Sequence, residues 1–359
     1  MNETFVYNLL EINEISGVSE WQSPSNIALV KYWGKKLDQI PMNPSLSLTL
    51  SNCYSKTRVS YQSEISLKHD FNFSLLFEGK REISFESKLL IFFNRIKHYC
   101  PYLMNLKLII ESNNSFPHSS GIASSASFYS ALSLSIMDIE KHLNPKIEND
   151  FFFKKASFLS RLGSGSACRS IMGPISFWGS SKLFKESNDL YAIKYPNEIN
   201  IVFKGINDTV LLVDKGKKEV SSSLGHDLMN GHSFSNDRIK QAHFNLEQIK
   251  NALETGNYDL FIKIVEMEAL SLHAMMMTSN PYFILMKPNT LQIINEVWKY
   301  RKKYNSRICF TLDAGANIHL LYPQIEYDEI QNFISSNLVD YCENGEFIND
   351  KIGVGPNKL

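Results

Sequence analysis

Four short stretches concentrate residue types that handle phosphate and protons. Residues 116–127 read FPHSSGIASSAS, and six of these twelve are Ser or Gly. They separate an apolar, β-branched run (LKLIIES, 106–112) from an apolar-striped pattern that continues to Glu140. The first N–H groups of a helix lack internal partners and carry partial positive charge. Small residues at such a start let phosphate oxygens approach the backbone. Ser hydroxyls add donors and can reach a metal ion carried on those phosphates. The Lys of a Walker A loop is missing, so this is not a P-loop. The plainer reading is that Ser124 or Ser125 merely caps the helix.

The second stretch, SPSNIALVKYWGKK (23–36), sets Lys31 and Lys35 four apart beside Tyr32 and Trp33. Lys is a compact cation suited to phosphate; otherwise the pair flanks an aromatic core strand. The third, RLGSGSACRSIMGPISFWG (161–179), holds Ser164, Gly165, Ser166 and Arg169 at another expected helix start. One Arg fork with several donors suits a diphosphate; the alternative is a Schellman-type helix end followed by a new cap. The fourth, TLDAGANIHLLYP (311–323), places Asp313 before a Gly turn, where Asp is most often a turn former. A further run, DKGKKEVSSSLGHDLM (214–229), reads first as a solvated basic turn.

These residues need elements to place them. NPSLSLTLSN (43–52) and SKTRVSYQS (55–63) alternate like two strands. Ile122, Ala126, Tyr129, Leu132, Ile136 and Ile139 mark one helical face. A second helix is expected over about 150–162, ending at Gly163, and a third element opens at GSACRSIMG. Beyond AIKYPNEIN the pattern changes. NIVFKG (200–205) and DTVLLVD (208–214) read as short strands, and Ile239, His243, Leu246, Ile249 and Leu253 give another helical stripe. Helices are expected over 257–276 and 289–304, then strand, tight Gly turn and strand over 307–323. Pro196–Asn197 is the best boundary, giving two α+β halves, 1–190 and 191–359.

With 359 residues and 43% hydrophobic content the chain can bury a large core. Lys+Arg and Asp+Glu both total 37, which argues against a nucleic-acid partner but allows a local basic pocket. The start carries no basic n-region, and runs such as KLLIFF are too short to span a bilayer. A soluble, cytoplasmic protein without membrane contact is expected. Cys53, Cys100, Cys168, Cys309 and Cys342 are scattered, which fits reduced thiols rather than a disulfide framework or zinc site.

The motifs also carry a resemblance. Pro117, Gly121, Ile122, Ala123, Ser124, Ser125 and Ala126 stand as in the phosphate-binding loop of the GHMP kinase superfamily. N-I-A-x-x-K-Y-W-G-K closely resembles the N-terminal signature of its diphosphomevalonate decarboxylase family, and IPMNPSLSLTL follows in place. R-x-G-S-G-S-A-C-R-S and D-A-G-x-N also resemble that family, with a mild departure at Ala316. The family's V-S-S-x-x-G-M segment maps to Ser221 or Ser222, with Lys217 or Lys218 upstream; its usual Met is His226 here. The terminal KIGVGPNKL resembles the family's G-x-G-P strand. All motifs occur in family order, from about Ser23 to Pro356.

The resemblance implies a GHMP kinase fold: a domain like ribosomal protein S5 domain 2, a ferredoxin-like C-terminal domain, and an active-site cleft between them. It implies ATP-dependent decarboxylation of (R)-5-diphosphomevalonate, with ATP and Mg²⁺, by a homodimer. Asp313 becomes the catalytic carboxylate with Lys31 beside it. Tyr32, Lys35, Ser164, Gly165, Ser166 and Arg169 become the substrate diphosphate site. Pro117, Ser119, Ser120, Gly121, Ala123, Ser124, Ser125 and Ser222 become the nucleotide site, with Ser125 also near Mg²⁺. The family's further phosphate-binding Arg falls on Arg81, Lys88, Arg95 or Lys97. Rival readings are a mevalonate 5-phosphate decarboxylase, a mevalonate 3-kinase, or a catalytically silent binding protein on the same fold.

Overall fold

The structure, a computed structural model, describes residues 3–8, 14–64, 70–117, 122–216 and 222–359. The first half contains strands β1 (Ser16–Val30), β2 (Ser45–Ser63), β3 (Asn72–Phe77) and β4 (Lys80–Arg81), then helix α1 (Ile83–Ile96). β5 (Leu106–Asn114), α2 (Ser124–Leu143), α3 (Asn149–Gly163), β6 (Ile175–Trp178) and β7 (Ile193–Lys194) follow. The second half begins with β8 (Asn207–Leu211), α4 (Ser222–Asp227), α5 (Ser235–Thr255), α6 (Tyr258–Met277) and α7 (Pro288–Tyr304). It continues through β9 (Cys309–Thr311), β10 (Ile318–Tyr322), α8 (Tyr327–Phe333), β11 (Phe347–Lys351) and β12 (Asn357–Lys358).

The architecture is α+β, with two sheets. The larger runs β12-β1-β2-β5-β3-β4, with β6 and β7 extending from β2, and only the β3–β5 pairing is parallel. The smaller runs β11-β8-β10-β9, all antiparallel. α2 and α1 pack against one side of the first sheet, and α3 packs on α2 and α1 in the same core. A second core joins the halves: Ile27, Leu29, Leu46 and Phe177 pack with Val210, Leu246, Phe261 and Val265. That shared core fixes the angle at which the halves meet, because close-packed interiors deform little.

Two strand expectations change. Residues 43–52 and 55–63 form one strand, not two. Its register against β1 slips between Pro24 and Asn26, where proline offers no N–H and the ladder cannot continue evenly. The Asp350 carboxylate fills that gap, accepting from the N–H groups of Ser51, Asn52 and Cys53 at 2.8, 2.8 and 2.7 Å. NIVFKG is not a strand: residues Ile201–Phe203 form a 3₁₀ turn, capped where the Asn200 side chain accepts from the Val202 N–H. A local Asx bond outcompetes the β propensity of three apolar residues.

The Ser-rich start of α2 also resolves. The helix begins at Ser124, after Ala123 in the left-handed region (φ 45°), and makes no side-chain cap. Ser127 and Ser130 face the sheet instead, bonding to Ser55 (2.6 Å) and Ser23. Small hydroxyl side chains let the helix lie close on the strands while keeping its polar groups satisfied. GSACRSIMG is likewise a 3₁₀ helix, Gly165–Ile171, rather than a full α-helix start.

Asp350 is 4% exposed, so its loss strands three amide donors. Asp350→Ala should destabilise the protein by about 2–4 kcal/mol in urea unfolding, and Asp350→Asn, which keeps an acceptor, by less. A loss below about 0.5 kcal/mol for the alanine variant would deny the tie any role.

Candidate active site

β1 ends at Val30, which delivers Lys31 to the junction of the two halves. Its ammonium is 1% exposed and meets Asp313 Oδ1 at 2.9 Å. Asp313 lies in the turn between β9 and β10. That turn is held by three groups. His273 Nε2 donates to the Asp313 carbonyl (3.2 Å), and Thr290 Oγ1 donates to the Ala316 carbonyl (2.8 Å). Asn317 exchanges bonds with the Asp214 main chain at 2.9 and 3.0 Å. Burial pushes the Asp313 carboxyl up, but the charge and hydrogen bond of Lys31, with His319 and Arg169 adding to them, hold the group below the usual range. Burial pulls the Lys31 ammonium down, and Asp313 opposes that fall. The pair is an ionised carboxylate beside a lysine whose proton is more easily lost than usual.

A cavity of about 630 Å³ opens on this pair. Lys31, Tyr32, Lys35, Ala123, Ser125, Ser164, Gly165, Ser166, Arg169 and Asp313 all line it. Pro117 is exposed, and neither it nor Ser124 is among the lining residues. Ser119, Ser120, Gly121, Lys217, Lys218 and Ser221 lie outside the described residues, as does the side chain of Ser222. Of the four alternative cations, Lys88 and Arg95 line the cavity, while Lys97 does not and Arg81 pairs with Glu86 at 2.8 Å. A larger groove of about 1000 Å³ between α6 and α7 contains none of the motif residues.

Arg169 dominates the far wall. It is 3% exposed, with Nη1 on Ser45 Oγ (2.6 Å) and Nε on Asn26 Oδ1 (3.2 Å). Among the described residues no carboxylate pairs with it. A buried guanidinium with only neutral partners is poised for an anion. The Tyr32 hydroxyl is buried and unbonded, and burial raises its pKa. It faces Gly165, where any Cβ would sit 2.7 Å from that oxygen. Ser125 Oγ and Ser164 Oγ are 3.2 Å apart, so the α2 start and the α3 end share one rim.

His226, flagged in the sequence only as a departure from the family's Met, also lines the cavity. Its ring lies tilted against Tyr32 and Trp33, with centroids 4.2 and 4.7 Å away. Nδ1 accepts from the Gly34 N–H at 3.0 Å, so the neutral ring carries its proton on Nε2. Burial, then Lys35 and Arg169, lower its pKa to about 3. Burial lowers that of His273 to about 4. Asn43, whose Nδ2 donates to the Lys31 carbonyl at 2.9 Å, stands in the IPMNPSLSLTL stretch but is not singled out there as a site residue.

Two depressed histidines have a stability consequence. Above about pH 6.5 both folded and unfolded chains hold these rings neutral; below it only the unfolded chain takes up the protons. Stability therefore falls as pH drops from about 6.5 towards 4 and 3, by about 1.4 kcal/mol per unit for each ring. Neither ring should titrate between pH 8 and 5 in nitrogen-15 histidine spectra. A midpoint near 6.5 for His226 would contradict its placement.

Comparisons with known proteins agree with this geometry. Residues 23–189 match the family model described as the diphosphomevalonate decarboxylase-like N-terminal domain. Residues 209–353 match the one described as the mevalonate 5-diphosphate decarboxylase C-terminal domain. The diphosphomevalonate decarboxylase of Ganoderma lucidum is 28% identical, over 92% of this chain and 84% of that relative. A solved structure of MDDEF in complex with MVAPP, AMPPCP and magnesium superposes with a TM-score of 0.80 at 28% identity, covering 96% of this chain and 99% of that one. The mevalonate diphosphate decarboxylase from Enterococcus faecalis gives 0.80 at 26% identity, over 96% and 99% of the two chains. Two α+β halves with a GHMP kinase arrangement, meeting at a cavity lined by the family's motifs, place this chain in the diphosphomevalonate decarboxylase family.

Proposed function

We propose that the chain converts (R)-5-diphosphomevalonate and ATP to isopentenyl diphosphate, ADP, phosphate and carbon dioxide. One observation carries the reading: a lysine and an aspartate from opposite halves pair at 2.9 Å where both open onto one cavity. The structural relative MDDEF, solved in complex with MVAPP, AMPPCP and magnesium, supports ligands of these classes. The two-domain division, 1–190 and 191–359, is part of the same proposal; two sheets support two units, although residues 193–194 and 357–358 join the first sheet. Also part of it are a cytoplasmic location, expected from the sequence, and a homodimer, which rests on the family resemblance.

The substrate's tertiary 3-hydroxyl is a poor leaving group, so it must first receive the γ-phosphoryl group. Asp313 orients that hydroxyl and accepts its proton late in the transfer. Lys31 keeps Asp313 ionised and steadies charge on the bridging oxygen. The new phosphate then leaves with its C–O electron pair. The C1–C2 pair forms the C2=C3 alkene as carbon dioxide departs. Arg169, Tyr32, Lys35, Ser164 and Ser166, together with the Gly165 backbone, hold the diphosphate so that the hydroxyl is presented in one pose. Lys88 and Arg95 supply the additional phosphate contact expected from α1.

The start of α2, with Ser125, offers amide and hydroxyl donors to the nucleotide phosphates. Among the described residues no group of three His, Cys, Asp or Glu side chains forms a metal cage. Serine oxygens beside a phosphate site fit Mg²⁺, which keeps waters and binds through nucleotide phosphates. When bound, Mg²⁺ neutralises charge on those phosphates.

Asp313→Asn should lower kcat by about 10²–10⁴ while nucleotide binding persists; full turnover would remove Asp313 from the chemistry. Arg169→Ala should raise the KM for the diphosphate strongly, and an unchanged KM would move that group elsewhere. ADP release measured with mevalonate, its 5-phosphate and its 5-diphosphate, together with trapped carbon dioxide, separates the decarboxylase from a 3-kinase.

A further inference from the structure

Lys31 lies one residue past β1, where the strand ladder no longer serves its main chain. Its carbonyl is taken by Asn43 and its N–H by a carboxylate from the other half, Glu268 Oε2 on α6, at 2.8 Å. Glu268 is fully buried. Two α5 side chains hold it: Arg238 through Nη2 (2.5 Å) and Nη1 (3.1 Å), and Asn245 through Nδ2 (2.5 Å). None of the three lines the cavity. An apolar contact could dock two helices on a strand end at lower desolvation cost. What the ionised clamp adds is a fixed register and a negative charge beside Lys31.

We propose that Glu268 is a positioning residue for the reaction: it grips the Lys31 main chain across the junction of the halves, so that the ammonium meets Asp313. The inference rests on the roles given above to Lys31 and Asp313. A shift of about 1 Å at a reacting group can cost about 10²-fold in rate, which makes such a grip consequential. The charged groups that act on Lys31 are Asp313 from the β9–β10 turn, Glu268 from α6 and Arg169 from the 3₁₀ helix after α3. Asp208 on β8 and neutral His273 on α6 also sense its charge. Arg238 is the cation facing Glu268.

Two variants test the proposal. Glu268→Gln removes the negative charge and leaves Arg238 buried without its counter-ion. Glu268→Met with Arg238→Met removes both charges and the acceptor that the Lys31 N–H uses, with unbranched apolar side chains in their place, and decides the matter if the single variant does not fold. In both, kcat should fall about tenfold or more while the KM for ATP stays within about threefold. In the single variant the basic limb of the kcat–pH profile should also move to lower pH, because Lys31 loses a nearby anion. A folded double variant with parental kcat would overturn the proposal. So would a single variant whose two KM values rise together while its basic limb stays in place, since that marks general loosening. Absence of ADP and carbon dioxide with the unaltered enzyme would instead sink the functional reading itself.

Discussion

A buried ammonium must find an anion, and in this protein the anion lies 282 residues away along the chain. Lys31 is 1% exposed, and isolating such a charge from water is costly unless a counter-charge and hydrogen bonds replace the solvent. Among the described residues the first half provides none of the negative charge that acts on Lys31. Asp313 and Glu268 both come from the second, one to the side chain and one to the main chain. The cavity exists because the halves are held together where that pairing occurs. The apolar core running from Ile27 and Phe177 to Leu246 and Phe261 supplies the adhesion, and the ionic contacts supply the alignment.

The cavity's electrostatics differ from those of the whole chain. Overall charge is balanced at 37 of each sign. Among the described residues, however, Lys31, Lys35, Lys88, Arg95 and Arg169 line the site against a single carboxylate, Asp313. Low-dielectric walls concentrate such a field, so a neutral protein can still attract polyphosphates to one place. Burial is what chiefly keeps His226 and His273 neutral; Lys35 and Arg169 add to it at His226, while at His273 Asp313 works against it.

Much of this was legible in the sequence because the chemistry sits in short local motifs. Lys31, Ser125, Ser164, Gly165, Ser166, Arg169 and Asp313 could be read from neighbours within ten residues, and all line one cavity. The supports could not. Glu268 sits inside an ordinary amphipathic helix, and its meaning comes from Lys31, 237 positions away. Asp350 reads as a polar residue on a short strand, yet it completes β2 across 297 positions. Asn200 shows the converse limit: one side-chain bond turned an apolar run into a 3₁₀ turn, against its periodicity. The serines of α2 divide between rim and packing, and composition alone does not separate those roles.

The chain's return to its beginning has an effect on how it can be made. Thr49 receives the Gly353 N–H, and residues 357 and 358 pair with Gln22 and Trp21. During synthesis the ribosome releases β1 and β2 long before it releases these partners. The first sheet therefore waits with an open edge until translation has passed the second, and a stalled or clipped nascent chain exposes that edge to other proteins.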